Sequence, residues 1–248
     1  LIAEGTPAMP GPSLAAEFLD EIHGAPLGDL IDKAESYDDE VIRPLERPLT
    51  GQGGIVVLRG NLAPDGAVVK SSAMAEAQHG NTTYRARVFE TKYDALRSIR
   101  AKEIQPGTAV VIRYEGPAAS GMPEQFYVTE AIAADPTLAT TVALITDGRF
   151  SGATRGPAVG HVSPEAAHRG PIAVVEDDDL IEMDLAAEAL NVTGELGNYL
   201  GAAEMTQRLR RRLETLKLPT PKYNRGLLGL YTRHALSAAR GGGFSVQP

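Results

Sequence analysis

TVALITDGRFSGATRGP, residues 141–157, decides how the rest of the chain is read. Its first half contains VALI (142–145), a short apolar run of the kind that forms a strand buried on both faces. Its second half gathers three glycines, two arginines, an aspartate and the hydroxyls of Ser151 and Thr154. A connecting turn needs fewer such residues. Glycines allow close backbone approach or positive φ, and free N–H groups can cradle an anion, so the segment predicts a strand that opens into a binding loop.

Outward from this point, short strands and short helices alternate without a regular rhythm. GIVVLRG (54–60) and AVVK (67–70), separated by a Pro-Asp-Gly turn, predict a hairpin. RARVFE (85–90) and PGTAVVIRYEG (106–116) predict strands. Between them TKYDALRSIRAKEI predicts a helix capped by Thr91, with Tyr93, Leu96 and Ile99 at helical spacing. PEQFYVTEAIAA (123–134) predicts another helix. SPEAAHRG (163–170) predicts a short one, with Ser163 as N-cap and Gly170 as its end. PIAVVEDDDLIEMDL (171–185) predicts two strands around an acidic turn. EMTQRLRRRLETL (204–216) and LLGLYTRHALSAA (227–239) predict the last helices. The order implies a mixed α+β domain, with a barrel-like β core and peripheral helices, and not a doubly wound parallel sheet. AEFLDEIHGAPLGDLIDKA (16–34) predicts one or two short helices. Residues 1–40 are expected to be linker and short helices, and 41–248 the domain itself.

Composition narrows the function. The 248 residues carry a net charge of -8, which argues against a nucleic-acid partner. The basic run RLRRRLETLK (208–217) reads as a solvated helix face. No apolar run approaches the roughly 20 residues that span a bilayer, and a cytoplasmic protein is expected. There is no cysteine, hence no disulfide, no thiol nucleophile and no thiolate for zinc or an iron–sulfur cluster. Phosphate-loop, dinucleotide, nucleophile-elbow and HExxH spacings are absent. His161 reads as structural, and Glu124 alone reads as a carboxylate serving a helix dipole.

Three long stretches, in order, carry a resemblance. GGIVVLRGNLAPDGAVVK (53–70), AVVIRYEGP…GMPE (109–124) and ITDGRFSGATRGPAVGHVSPEAA (145–167) resemble the C-terminal domain of the dihydroxy-acid dehydratase / phosphogluconate dehydratase family. The resemblance implies a swivelling β/β/α domain like that of aconitase-like enzymes. It also implies a longer enzyme whose N-terminal domain holds an iron–sulfur cluster and most of the Mg2+ ligands, and a homodimer. The implied reaction removes water from a 2,3-dihydroxy carboxylic acid to give a 2-keto acid.

Carried over by motif, Ser151 is implied as the catalytic base, acting as an alkoxide, and Glu124 as the magnesium ligand from this half. Thr154 and Arg155 are implied as substrate contacts, with a salt bridge the competing reading for Arg155 and for Arg149. His234 matches a histidine of the sugar-acid dehydratases. The resemblance thus leaves two substrates open, the branched-chain dihydroxy acid first and an aldonate second, with Gln125 or Tyr127 lining a more polar pocket in the second. A non-catalytic module binding small hydroxy acids is the reading from another class.

Overall fold

The structure, a computed structural model, describes residues 40–44, 46–48, 53–74 and 79–244. The chain divides into two units, and the fold below is that of the second, Gly53–Pro248. The helices expected within 16–34, and all but the end of the expected linker, lie outside the described residues.

Nine strands build one mixed sheet. They are β1 (Val56–Leu58), β2 (Gly66–Val69), β3 (Asn81–Phe89), β4 (Thr108–Ile112), β5 (Ala143–Thr146), β6 (Ala158–Ser163), β7 (Leu180–Asp184), β8 (Ala189–Glu195) and β9 (Asn198–Tyr199). Their order across the sheet is β1-β2-β6-β5-β4-β3-β7-β8-β9. The centre, β3 to β6, is parallel, and every other pairing is antiparallel. The two flanks meet. Arg59, just past β1, bridges to Ala189 at the start of β8, with Leu190 N donating to Arg59 O at 2.8 Å. Asn61 fastens the seam by donating to Val192 O and accepting from Val192 N. The curl removes most of the free sheet edge, and the barrel-like core expected from the sequence is present.

Period-2 alternation explains the two cores. Ala109, Val111, Ala143 and Ile145 point into the curl, where they pack with Leu58, Ile181, Met183, Leu190 and Val192. Val110, Ile112 and Leu144 point outward, against Ala95 and Ile99 of α1 (Lys92–Arg100) and Val128 and Ile132 of α3 (Phe126–Ala133). Because both faces are covered, VALI and TAVVI show no polar alternation. Each Val, Leu, Ile or Met among them contributes roughly 1.5–3 kcal/mol by burial.

The helix signals hold with shifts in detail. Thr91 caps α1 by accepting from Asp94 N at 3.1 Å, but the buried face is Ala95 and Ile99, and Tyr93 is exposed. The helix α4 (Ala202–Thr215) closes one end of the curl with Met205 and Leu209. Its basic run is not all solvated: Arg212 turns inward to Asp179 at 2.6 Å and Glu195 at 2.6 Å. The last helix, α5 (Gly226–His234), ends earlier than the sequence suggests and packs on the one-turn helix α2 (Pro117–Ser120).

Three local expectations are corrected. Ser163 is the last residue of β6, not an N-cap, and its Oγ accepts from Ala239 N at 3.3 Å. The short helix after it is a 3-10 turn, Ala166–His168, which closes on Arg169 in the left-handed region. Pro171–Val174 is also a 3-10 turn, so only β7 remains of the two strands expected around the acidic turn.

Candidate active site

Parallel pairing brings the carboxyl ends of β4, β5 and β6 to one side of the sheet. The loops that leave there hold nearly every residue implicated by the sequence. After β5, Thr146 Oγ1 accepts from Gly148 N at 2.9 Å and turns the chain sharply. Gly148 then runs against the β4 loop, where an added Cβ would stand 3.0 Å from Glu115 Cβ. The close approach lets Arg149 pair with Glu124 as an isolated parallel bridge, and Gln125 N donates to Arg149 O at 2.9 Å. Glu124 and Ser151 therefore sit on two loops that are bonded to each other by backbone.

Ser151 is half-buried, and its Oγ accepts from Ala153 N at 3.2 Å. Thr154 N donates to Ser151 O at 3.1 Å, closing the loop into a compact turn. The Thr154 hydroxyl is buried without a hydrogen-bond partner. From β2, Lys70 Nζ reaches the same turn and donates to Gly152 O. The sequence reading passed over this lysine although it ends a quoted motif. Its ammonium thus lies against the residue that follows Ser151.

Glu124 is exposed, and no ion pair among the described residues engages its carboxylate. Lys92 Nζ donates to its backbone oxygen instead, at 3.4 Å. Arg149 and Arg155 are both exposed, and neither forms a salt bridge among the described residues. His161, half-buried at φ 57°, donates its backbone N–H to Gly148 O at 2.8 Å. Burial and, after it, the charge of Arg149 hold its imidazole below the ordinary value. His234 is exposed at the end of α5, and no hydrogen bond among the described residues joins it to the Ser151 loop. Gln125 is fully buried, with Nε2 on Pro123 O at 3.2 Å and Oε1 unpartnered, whereas Tyr127 points to solvent.

Behind the two loops lies a buried acidic cluster that the sequence reading missed. Asp147, fully buried, accepts from Tyr114 N (3.0 Å), Glu115 N (2.9 Å) and Ala166 N (2.9 Å). It thereby ties together the loops after β4, β5 and β6. Glu165, also fully buried, accepts from Ala118 N (3.1 Å) and Ala119 N (3.3 Å) of α2. Glu115 pairs with Lys222 Nζ at 3.0 Å. Burial is the main cause that pushes Asp147 up to about 6 and Glu165 up to about 7, against the amide N–H groups that favour their charged forms. Charged residues beside turns read as solvated in a sequence, and only the tertiary fold shows these to be interior.

Which groups could hold a metal follows from the donor set. Among the described residues, no cluster of three or more His, Cys, Asp or Glu side chains is placed to bind an ion. Glu124 offers one hard oxygen donor of the type magnesium prefers. The chain has no cysteine, so it supplies no thiolate to an iron–sulfur cluster.

Loops at the carboxyl ends of parallel strands are where α/β sheets hold small ligands, and the parallel centre of this α+β domain offers loops of the same kind. The chain belongs to the dihydroxy-acid/6-phosphogluconate dehydratase family, through a C-terminal-domain profile that matches residues 40–242. It is 43% identical over 88% of its length to the dihydroxy-acid dehydratase of Ruminiclostridium cellulolyticum. It is 45% identical over 89% to that of Ignicoccus hospitalis and 46% identical over 89% to that of Oleidesulfovibrio alaskensis. In each case it spans 38% of the relative's own length.

Proposed function

We propose that this chain is the C-terminal domain of a hydro-lyase that converts a 2,3-dihydroxy carboxylic acid to a 2-keto acid. The dihydroxy acid of branched-chain amino acid synthesis is the substrate we favour. One observation carries the reading: the Glu124–Arg149 backbone bridge holds a free carboxylate and Ser151 on adjoining loops. The three relatives are named dihydroxy-acid dehydratases, which supports a dihydroxy acid as the substrate class. His234 is exposed at the end of α5 and has no hydrogen bond to the Ser151 loop among the described residues, so it adds nothing to the aldonate alternative. A non-catalytic acid-binding module would have no need of a serine turn backed by Lys70.

In this reading Ser151 Oγ takes the C2 proton. Ala153 N–H already donates to that oxygen, and the Lys70 ammonium lies against the next residue's carbonyl, so both favour a negative charge there. Glu124 would give one oxygen ligand to magnesium, which would supply positive charge against the negative charge that develops on the substrate. Thr154, with a hydroxyl that lacks a partner, and Arg155, exposed beside it, are the substrate contacts of this half. The remaining metal ligands, and those of any iron–sulfur cluster, belong to the part of the protein that the relatives have beyond this domain. Residues 41–248 would form the domain, 1–40 the link to that part, and the whole enzyme a cytoplasmic homodimer. Among the described residues no helix is long and apolar enough to cross a membrane.

The test is keto-acid formation by the complete protein with magnesium, from 2,3-dihydroxyisovalerate and from a pentonic acid. Turnover of the first in clear preference is expected. Preference for the pentonic acid would overturn the substrate assignment, and turnover of neither would overturn the dehydratase reading.

A further inference from the structure

Glu165 touches none of the residues assigned to chemistry, yet the segment that carries Glu124 is built on it. Its carboxylate spans two amide N–H groups, Ala118 on Oε1 and Ala119 on Oε2. It lies flat against Gly116, where a Cβ would come within 2.2 Å of Oε2, so glycine is required there. From that grip the backbone is a closed knot. Ser120 N bonds Gly116 O at 3.0 Å, Gly121 N bonds Pro117 O at 3.1 Å, and Met122 N bonds Gly116 O at 3.3 Å. Gly121 and Met122 take positive φ values of 72° and 59°. Only Pro123 separates this knot from Glu124.

We propose that Glu165 is the positioning residue of the Glu124 side of the site: its carboxylate fixes the Gly116–Met122 knot and so sets where Glu124 presents its oxygen to a divalent cation. The inference rests on the reading of Glu124 given above. The ionised carboxylate serves both N–H groups, whereas the protonated acid keeps one good acceptor and turns an O–H toward the other. The groups that face it are Asp147 from the β5 loop and His168, whose Nδ1 lies 3.6 Å from Oε1. Glu115, which repels Asp147, is itself paired to Lys222. Burial first, and repulsion by Asp147 second, leave Glu165 with a value of about 7, so its charge state changes near neutrality.

The test measures Mn2+ binding by electron paramagnetic resonance, and turnover, in the complete protein with and without Glu165→Gln. The variant keeps the shape of the side chain but offers one acceptor and one NH2. We expect Mn2+ affinity to fall by about tenfold or more, the range found when a residue behind a metal ligand is changed. The metal concentration for half-maximal turnover should rise in step, with kcat at saturating metal changed less. In the wild type, Mn2+ affinity should weaken as pH falls through about 7, and this limb should be missing in the variant. Unchanged affinity and an unchanged pH profile in a folded variant would overturn the proposal. If the variant does not fold, the wild-type pH series decides: affinity that stays flat from pH 8 to about 5.5 would overturn it equally. Should the wild type fail to dehydrate either substrate yet show the Mn2+ behaviour, the dehydratase reading falls while the positioning role stands.

Discussion

At Gly148 one extra carbon would press on Glu115 Cβ at 3.0 Å and on its backbone oxygen at 3.1 Å. The absence of a side chain there is what allows the β4 and β5 loops to bond, and the bond is what brings Glu124 toward Ser151. Lys70 acts at the same scale. If its ammonium favours the charge on Ser151, Lys70→Met should lower kcat by about tenfold, with less effect on KM, and Lys70→Arg should restore much of the loss. A kcat within twofold of wild type for Lys70→Met would reduce the lysine to a tether for Gly152. Of the sequence-derived residues, the structure brings Glu124 and Arg149 together and puts Ser151, Thr154 and Arg155 on the same loop as it returns to β6, and it leaves His234 on α5.

At the scale of elements, α4 is held to the sheet by charge as well as by Met205 and Leu209. Arg212, with a side chain only 14% exposed, donates to Asp179, to Glu195 and to Val174 O at 3.0 Å. Arg212→Met would strand the buried Asp179 carboxylate, and a loss of about 3 kcal/mol is expected in urea denaturation. A loss under about 0.5 kcal/mol would show that the pair adds little beyond a surface bridge.

The sequence made most elements legible where one physical rule governed them. Thr91 beside a helical period, Pro64-Asp65 between two apolar runs and VALI before a polar loop each pointed to the structure found. It failed where packing overrode the pattern. AVGHVS (158–163) forms β6 although Gly160 and His161 interrupt its apolar pattern. Gly160 is there to clear the Phe150 ring, where a Cβ would stand 2.9 Å from Cδ1. The apolar PIAVV predicts a strand. The segment instead turns, buried on all sides, with Ala173 O and Val175 O accepting from Arg113 Nη1. Gly170, where the sequence predicts a helix to stop, provides clearance, since a Cβ would fall 1.6 Å from Pro164 O. The acidic cluster left no local signature, because only the meeting of three loops buries it.

For the molecule as a whole, that cluster links function to stability. Asp147 and Glu165 bind protons more tightly in the folded protein than their ordinary values of 3.8 and 4.5 imply. Their contribution is therefore fully present below those ordinary values and is lost as pH rises through about 6 and 7. His161 and His168, lowered by burial, act in the opposite sense. The Glu165 share is best isolated by difference. Relative to wild type, Glu165→Gln should gain stability as pH rises from 5 to 7.5, on the order of 3 kcal/mol at most. Thermal melts of both proteins across that range check it, and a gap that does not change with pH would contradict it. Holding a buried carboxylate charged at neutral pH is then a stability cost that comes with placing Glu124.

The central claim is that Ser151 removes the C2 proton from a dihydroxy acid held against Glu124. The most direct measurement is turnover of 2,3-dihydroxyisovalerate by the complete protein carrying Ser151→Ala, with Mn2+ affinity measured on the same sample. The account predicts that keto-acid formation falls by at least about a hundredfold while Mn2+ affinity stays at the wild-type value. Activity within a few fold of wild type would contradict it and leave the loop a binding role alone.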